Sequence, residues 1–301
     1  MKGLRSIRVA TACAVAAALV ASALTSVSAQ RDRRERTLFV GAVNDKGEPV
    51  EGLGPDAFVV KEDGVRREVL RVSPATEPMD IALLVDNSTA AADEITFLRS
   101  SLSKFVQLMA TGNKVAVITL ADRPTIRVEY TDDAVKLKDG VSSLFSTPQS
   151  GMTLLDAIFE SVNGLRRRET PRAVVVPVVT DGVEFTTRYF RDIVNMLVKN
   201  RVPLHLVTIG PFYHDESEHG TRERSFLLDA GPRESGGQRI SLLSAHGLDG
   251  AMEKLAKELR SQYKVVYSRP ESLIPPDKVT VSAGRTGLTV RGAEARGENG
   301  A

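Results

Sequence analysis

Residues 80–90 read Asp-Ile-Ala-Leu-Leu-Val-Asp-Asn-Ser-Thr-Ala, an unbroken apolar run between an aspartate and a string of small polar residues. Such a run, closed at both ends, marks a strand buried on both faces, as in a parallel sheet. The next segment changes period. Over residues 93–109, Ile95, Leu98, Leu102, Phe105, Val106 and Met109 recur at helical spacing, with two acids at the start and Gly112 at the end. The alternation then continues. Residues 115–120 read as a strand and 153–165 as a helix with Leu155, Ile158, Val162 and Leu165 on one face. Residues 173–179 give a second apolar strand and 189–199 a helix. Residues 202–208 give a further strand, and 248–260 a helix carrying Met252, Leu255 and Leu259 inward. Strands alternating with helices predict the α/β class, a doubly wound and mostly parallel sheet. One residue conflicts with this: Pro177 removes a ladder hydrogen bond from a central strand, which implies a bulge or a misplaced boundary.

Outward from this core the pattern is different. Leu38-Phe39-Val40, Phe58-Val59-Val60 and residues 65–72 are short β-prone runs, separated by turn signals at residues 44–47 and 62–64. After Gln262 the runs at 264–267, 278–282 and 288–291 are again short and β-prone, with Pro270, Pro275 and Pro276 between them. The expected organisation is a signal peptide over 1–29, a charged linker over 30–36 and a small β module over 37–74 of about four strands. The α/β domain over 75–262, a C-terminal β segment over 263–293 and a polar tail over 294–301 complete it. The β segments of the two ends are expected to pack together.

The first 29 residues carry Lys2, Arg5 and Arg8, then a long uncharged stretch ending in Val27-Ser28-Ala29. A positive start, an apolar run and small residues at its end are the marks of a secretory signal cleaved after Ala29. The expected location is therefore secreted or periplasmic, with no membrane span left after cleavage. The chain's one cysteine, Cys13, lies in this segment, so disulfides, zinc thiolates and a cysteine nucleophile are excluded from the mature protein. Outside it, 37 basic residues face 38 acidic ones, which gives no bulk electrostatic reason to bind nucleic acid or anionic lipid.

In an open α/β sheet, ligands bind outside the carboxyl ends of the strands. Three polar segments fall at such places: Asp86-Asn87-Ser88-Thr89-Ala90, Ser150-Gly151-Met152-Thr153 and Thr180-Asp181-Gly182. Together they offer two carboxylates and several hydroxyls, an all-oxygen set suited to a hard cation such as Mg²⁺, Mn²⁺ or Ca²⁺. Taken singly, Ser88, Thr153 and Asp181 are better explained as caps and turn formers, and it is the ordered set that points to a site.

Asp86-x-Ser88-x-Ala90, Thr153 and Thr180-Asp181-Gly182, in that order, resemble the von Willebrand factor A (VWA) domain, whose metal-ion-dependent adhesion site reads Asp-x-Ser-x-Ser, then Thr, then Asp. The resemblance covers about residues 80–262. The flanks Phe58–Gly64 and Gln262–Tyr267, with Gly236-Gly237, resemble the secreted bacterial "VWFA-related" family described from Acidobacteria. The resemblance implies a Rossmann-like VWA fold and a site of Asp86, Ser88, Thr153 and Asp181 holding Mg²⁺ or Mn²⁺, partly through water. Its open coordination position would receive an acidic side chain of a protein partner. Ala90 departs from the motif, because a methyl group cannot coordinate. Thr89 is adjacent but is expected to point elsewhere.

Other features are bland by comparison. Residues 214–219 (His-Asp-Glu-Ser-Glu-His) match no metal-ligand spacing and read as a solvated loop, within a long segment 211–222 placed to rim the crevice. Asn87-Ser88-Thr89 fits the N-glycosylation pattern by chance, since it lies in the candidate site. Arg166-Arg167-Arg168 suits a helix C-terminus. No Gly-x-Gly-x-x-Gly follows a strand and no phosphate-binding Gly-Lys-Ser/Thr occurs, so no nucleotide is expected. No Gly-x-Ser-x-Gly elbow or base beside Ser88 appears. The resulting expectation is a non-enzymatic, secreted protein-binding or adhesion domain with a partly degenerate metal site. A metal-independent scaffold of the cell envelope and a metal-assisted hydrolase are the alternatives.

Overall fold

A computed structural model describes residues 35–212, 218–269 and 275–297. The signal peptide read in 1–29, with Cys13, lies outside the described residues. Four strands come first: β1 (Glu35–Val43), β2 (Phe58–Glu62), β3 (Val65–Arg67) and β4 (Val69–Pro74). The α/β core begins with β5 (Met79–Val85), α1 (Ile95–Ala110), β6 (Lys114–Thr119), β7 (Thr125–Thr131), α2 (Ala134–Ser142) and α3 (Leu154–Arg166). It continues with β8 (Arg172–Thr180), α4 (Phe190–Lys199), β9 (His205–Ile209), α5 (His219–Ser235), β10 (Gln238–Leu242) and α6 (Leu248–Arg260). The last strands are β11 (Tyr263–Ser268), β12 (Val279–Ala283) and β13 (Thr289–Glu294).

The central sheet has the order β10-β9-β8-β5-β6-β7. Its strands are parallel except β7, which runs antiparallel to β6 at one edge. Alternation along β5 explains the double winding. Ile81, Leu83 and Val85 face a core with α1, α2 and α6, and Ala82 and Leu84 face a second core with α3, α4 and α5. Both faces of the strand are thus covered, as its continuous apolar run requires.

Pro177 sits inside β8 without a bulge toward β5, directly opposite Leu84. The interruption falls on the other side. Pairing of β8 with β9 is confined to residues 178–180 and an isolated bridge at Val175, so the missing N–H of Pro177 lies in a gap in that ladder. The conflict seen in the sequence is resolved by an interrupted ladder between β8 and β9 at Pro177, opposite residues that β9 still pairs with β10, rather than by a bulge toward β5.

The terminal strands do pack together. One sheet has the order β13-β1-β11-β4 and another β12-β2-β3, around a shared core that includes Leu38, Phe58, Val60, Tyr263, Val265 and Tyr267. The four N-terminal strands therefore do not form a sheet by themselves, because β11 intervenes between β1 and β4. Strand β1 already begins at Glu35, inside the stretch read as a charged linker. At the other end β13 reaches Glu294, Ala295 donates its N–H to Thr37, and Arg296 donates its N–H to Pro171. Residues 294–296 are thus tied to the fold rather than forming a free polar tail.

Gly236 joins the two parts. It ends α5 with φ +84°, a left-handed conformation that favours glycine, and a Cβ there would collide with the carbonyl oxygen of Gly292 in β13. Gly236→Ala is expected to lose about 2 kcal/mol through backbone strain plus displacement of β13. A shift of the urea midpoint small enough to match a surface substitution would show that β13 yields freely.

Candidate functional site

The loop after β5 is organised by two buried side chains. Asp86 Oδ1 accepts the N–H of Ser88 at 2.9 Å, while Oδ2 accepts the N–H of Thr180 at 3.1 Å and its hydroxyl at 2.5 Å. This carboxylate therefore ties the end of β5 to the end of β8. Asn87 does the same for two other loops. Its Oδ1 accepts the N–H groups of Leu120 and Ala121, and its Nδ2 donates to the Phe145 carbonyl and the Thr147 hydroxyl. With both amide ends engaged and the residue buried, Asn87 is not a glycan acceptor. The Thr89 hydroxyl is engaged with the neighbouring loop, donating to the Thr147 carbonyl and accepting the Ser150 N–H.

The third and fourth candidate residues arrive from other elements. Thr153 precedes α3, is buried, and donates its hydroxyl to the Leu120 carbonyl at 2.8 Å, which leaves its oxygen lone pairs uncommitted as donors to a cation. Asp181 follows β8, and its side chain is 23% exposed. The loops converge at Gly182, where an added Cβ would lie 3.1 Å from Ser88 Oγ, 3.3 Å from Ala90 Cβ and 3.9 Å from Met152 Cβ. Backbone hydrogen bonds of Met152 with Val183 and Phe185 hold the Thr153 and Asp181 segments side by side.

Two further charged residues stand in this region, and no local motif in the sequence marks either. Arg224, on α5, is 2% exposed and donates Nη2 to Asp181 Oδ1 at 2.8 Å and Nη1 to the Gly182 carbonyl. Its guanidinium carbon stands 5.1 Å from the centre of the Phe212 ring. Glu184 is buried, and its oxygens accept the N–H groups of Leu154 and Leu155 at the start of α3. Burial pushes its carboxyl up to about 8, against the opposing pull of those N–H groups and of Arg224. Helix α5 buries Gly220, Thr221, Glu223, Gly231 and Pro232 along with its leucines, so its sequence lacks a clean apolar stripe. Within the stretch read as a loop, residues 219–222 form the first turn of this helix, and residues 213–217 lie outside the described residues.

The donor chemistry fits a hard cation in one respect and resists it in two. Ser88 Oγ is buried and has no hydrogen-bond partner among the described residues, an arrangement that costs free energy unless a ligand completes it. Against this, Ala90 offers only a methyl group and Asp181 is already paired with Arg224. Among the described residues no cluster of three or more His, Cys, Asp and Glu side chains is placed to hold a metal, so any cation here depends on hydroxyls.

Residues 81–184 match the family model of the von Willebrand factor type A domain. No curated protein matches the chain. Among solved structures, proximal thread matrix protein 1 from the mussel byssus is similar at a TM-score of 0.51 and 17% identity, over 66% of this chain and 50% of that one. Another structure of that protein, with a zinc-occupied MIDAS motif, is similar at 0.50 and 15% identity over the same shares. The vWF domain of the type V pili tip protein Mfa5 from Porphyromonas gingivalis gives 0.47 and 12%, over 61% of this chain and 95% of that one. The chain thus spans about half the length of the mussel protein it resembles, and likeness at such identity speaks for the fold. The sheet order and the match over residues 81–184 agree: the α/β core of this chain carries a von Willebrand factor type A domain.

Proposed function

We propose that this is an exported protein-binding domain that engages its partner at the carboxyl ends of β5 and β8, through a divalent cation held by Ser88, Thr153 and Asp181 with Asp86 behind them. The buried hydroxyl of Ser88 carries the reading, because a cation beside it satisfies an oxygen that no group among the described residues satisfies. A cation bound by hydroxyls and few carboxylates stays under-neutralised, so it attracts an acidic side chain from a partner. The crevice rim supports a protein partner. Phe145, Val183 and Phe185 are large, apolar and exposed, and they belong to the loops that Asn87 and Met152 hold around the site. Mg²⁺ and Mn²⁺ suit the oxygen donors; zinc occupies the motif in the mussel protein. Export rests on the charge and small-residue pattern of residues 1–29. The sequence offers no general base beside Ser88, which favours binding over catalysis.

Titration calorimetry of the purified protein with Mn²⁺ tests this. Saturable binding is expected, and Asp181→Asn, which keeps an acceptor for Arg224 but loses the charge, is expected to weaken it at least tenfold. Capture of the partner should then fail in chelator. Ala90 favours a second reading, a scaffold independent of metal, and partner capture unchanged by chelator would establish it.

A further inference from the structure

Arg224 is the one buried cation described at this site, and it holds the carboxylate that a metal would need. Its two donor bonds fix the planar guanidinium across Asp181 and the Gly182 carbonyl, and Phe212 covers it from one side. Arginine forks of this kind are directional and strong where water is excluded. Two cations then compete for one carboxylate. A divalent ion entering beside Ser88 meets an Asp181 whose charge is already compensated, next to a guanidinium that repels it. Conversely, Arg224 released from Asp181 is a buried charge without its counter-ion, which is unfavourable unless another group takes over.

We propose that Arg224 is a built-in counter-cation that holds the metal site closed, so that cation loading requires Asp181 to leave the guanidinium. The inference rests on the metal-dependent reading above and deepens it. Apparent affinity is the intrinsic affinity reduced by the fraction of molecules in which Asp181 is released. The half-saturating cation concentration is then set by the ion pair as well as by the hydroxyl ligands. The loss of a ligand at Ala90 acts in the same direction, and the two features together make this a weak site by construction.

The test compares Mn²⁺ binding by calorimetry in the wild-type chain, Arg224→Met, which keeps most of the volume, and Asp181→Asn. Arg224→Met is expected to bind at least tenfold more tightly than wild type, and Asp181→Asn more weakly than both. Equal or weaker binding by Arg224→Met, with the wild type binding, overturns the role of Arg224 and leaves the metal site standing. No binding by any of the three overturns both. Circular dichroism checks that the variant is folded. Should it not fold, side-chain NMR of the wild type decides: the Arg224 Nη–H signals are expected to lose their protection as Mg²⁺ saturates the protein. Unchanged signals at saturation overturn the proposal.

Discussion

Asp86→Ala is expected to lower unfolding free energy by about 4 kcal/mol, because three donors lose their acceptor at once. The N–H of Ser88, the N–H of Thr180 and the hydroxyl of Thr180 all converge on this one buried carboxylate. A single hydrogen bond to a charged group contributes roughly 1.5–3 kcal/mol, and each orphaned donor adds a desolvation penalty. Relief of burying the charge offsets part of the sum. In a chain of this size the change corresponds to a melting temperature lower by about 10 °C. Asp86→Asn keeps an acceptor of the same shape and should lose about half as much. Denaturant titration of both variants distinguishes the cases. A loss below about 1 kcal/mol in Asp86→Ala, less than one such hydrogen bond, would mean that the loop after β5 is held by Asn87 alone. Asp86 would then be kept for a ligand rather than for the fold.

That double use explains how far the sequence can be read. Strands buried on both faces announce themselves, so β5, β6 and β8 are legible as apolar runs, and α1, α3 and α6 as apolar stripes. Strand β7 is not, since four of its first five residues are exposed and it pairs only at the edge. Helix α5 is not, because it turns glycine, proline and charged residues toward its neighbours. Gly220 shows why: a Cβ there would collide with the Glu184 carbonyl oxygen, so close approach of backbone, not apolar area, decides the residue. The order Asp86, Ser88, Thr153, Asp181 is visible because motif residues follow strands. Arg224 reaches Asp181 from 43 residues away, and Glu184, which closely follows Asp181 in the chain, meets the start of α3 across 30 residues; no spacing rule marks either contact. Their contribution is visible only when the helices are packed.

Glu184 gives the second large effect, and its sign is opposite to that of an acid held ionised by a partner. The folded protein holds its carboxyl up to about 8, whereas in the unfolded chain it titrates near the ordinary 4.5. Between those values the folded state binds the extra proton, so stability is fully present below about pH 4.5 and is lost as pH rises through about 8. Each pH unit in that interval removes about 1.4 kcal/mol, so the whole interval amounts to at most about 5 kcal/mol. His205, buried and pushed down to about 3, has the opposite slope on the acid side, because the unfolded chain takes up its proton first. Glu258 and Glu294 are raised by burial as well, so a single pH profile mixes several groups. The difference between wild type and Glu184→Gln isolates this one. Glutamine fills the same space and does not titrate, but its amide presents one acceptor where two N–H groups wait, which adds a constant loss of about 1 kcal/mol. Wild type is therefore the more stable by about 1 kcal/mol below about pH 4.5, the order reverses within about the first pH unit above that, and by about pH 8 the Gln variant is the more stable by about 3–4 kcal/mol. Parallel profiles would show that the Leu154 and Leu155 N–H groups, at the positive end of α3, keep Glu184 charged. A charged Glu184 would then add to the negative potential near Asp181 and attract a cation more strongly than a neutral one.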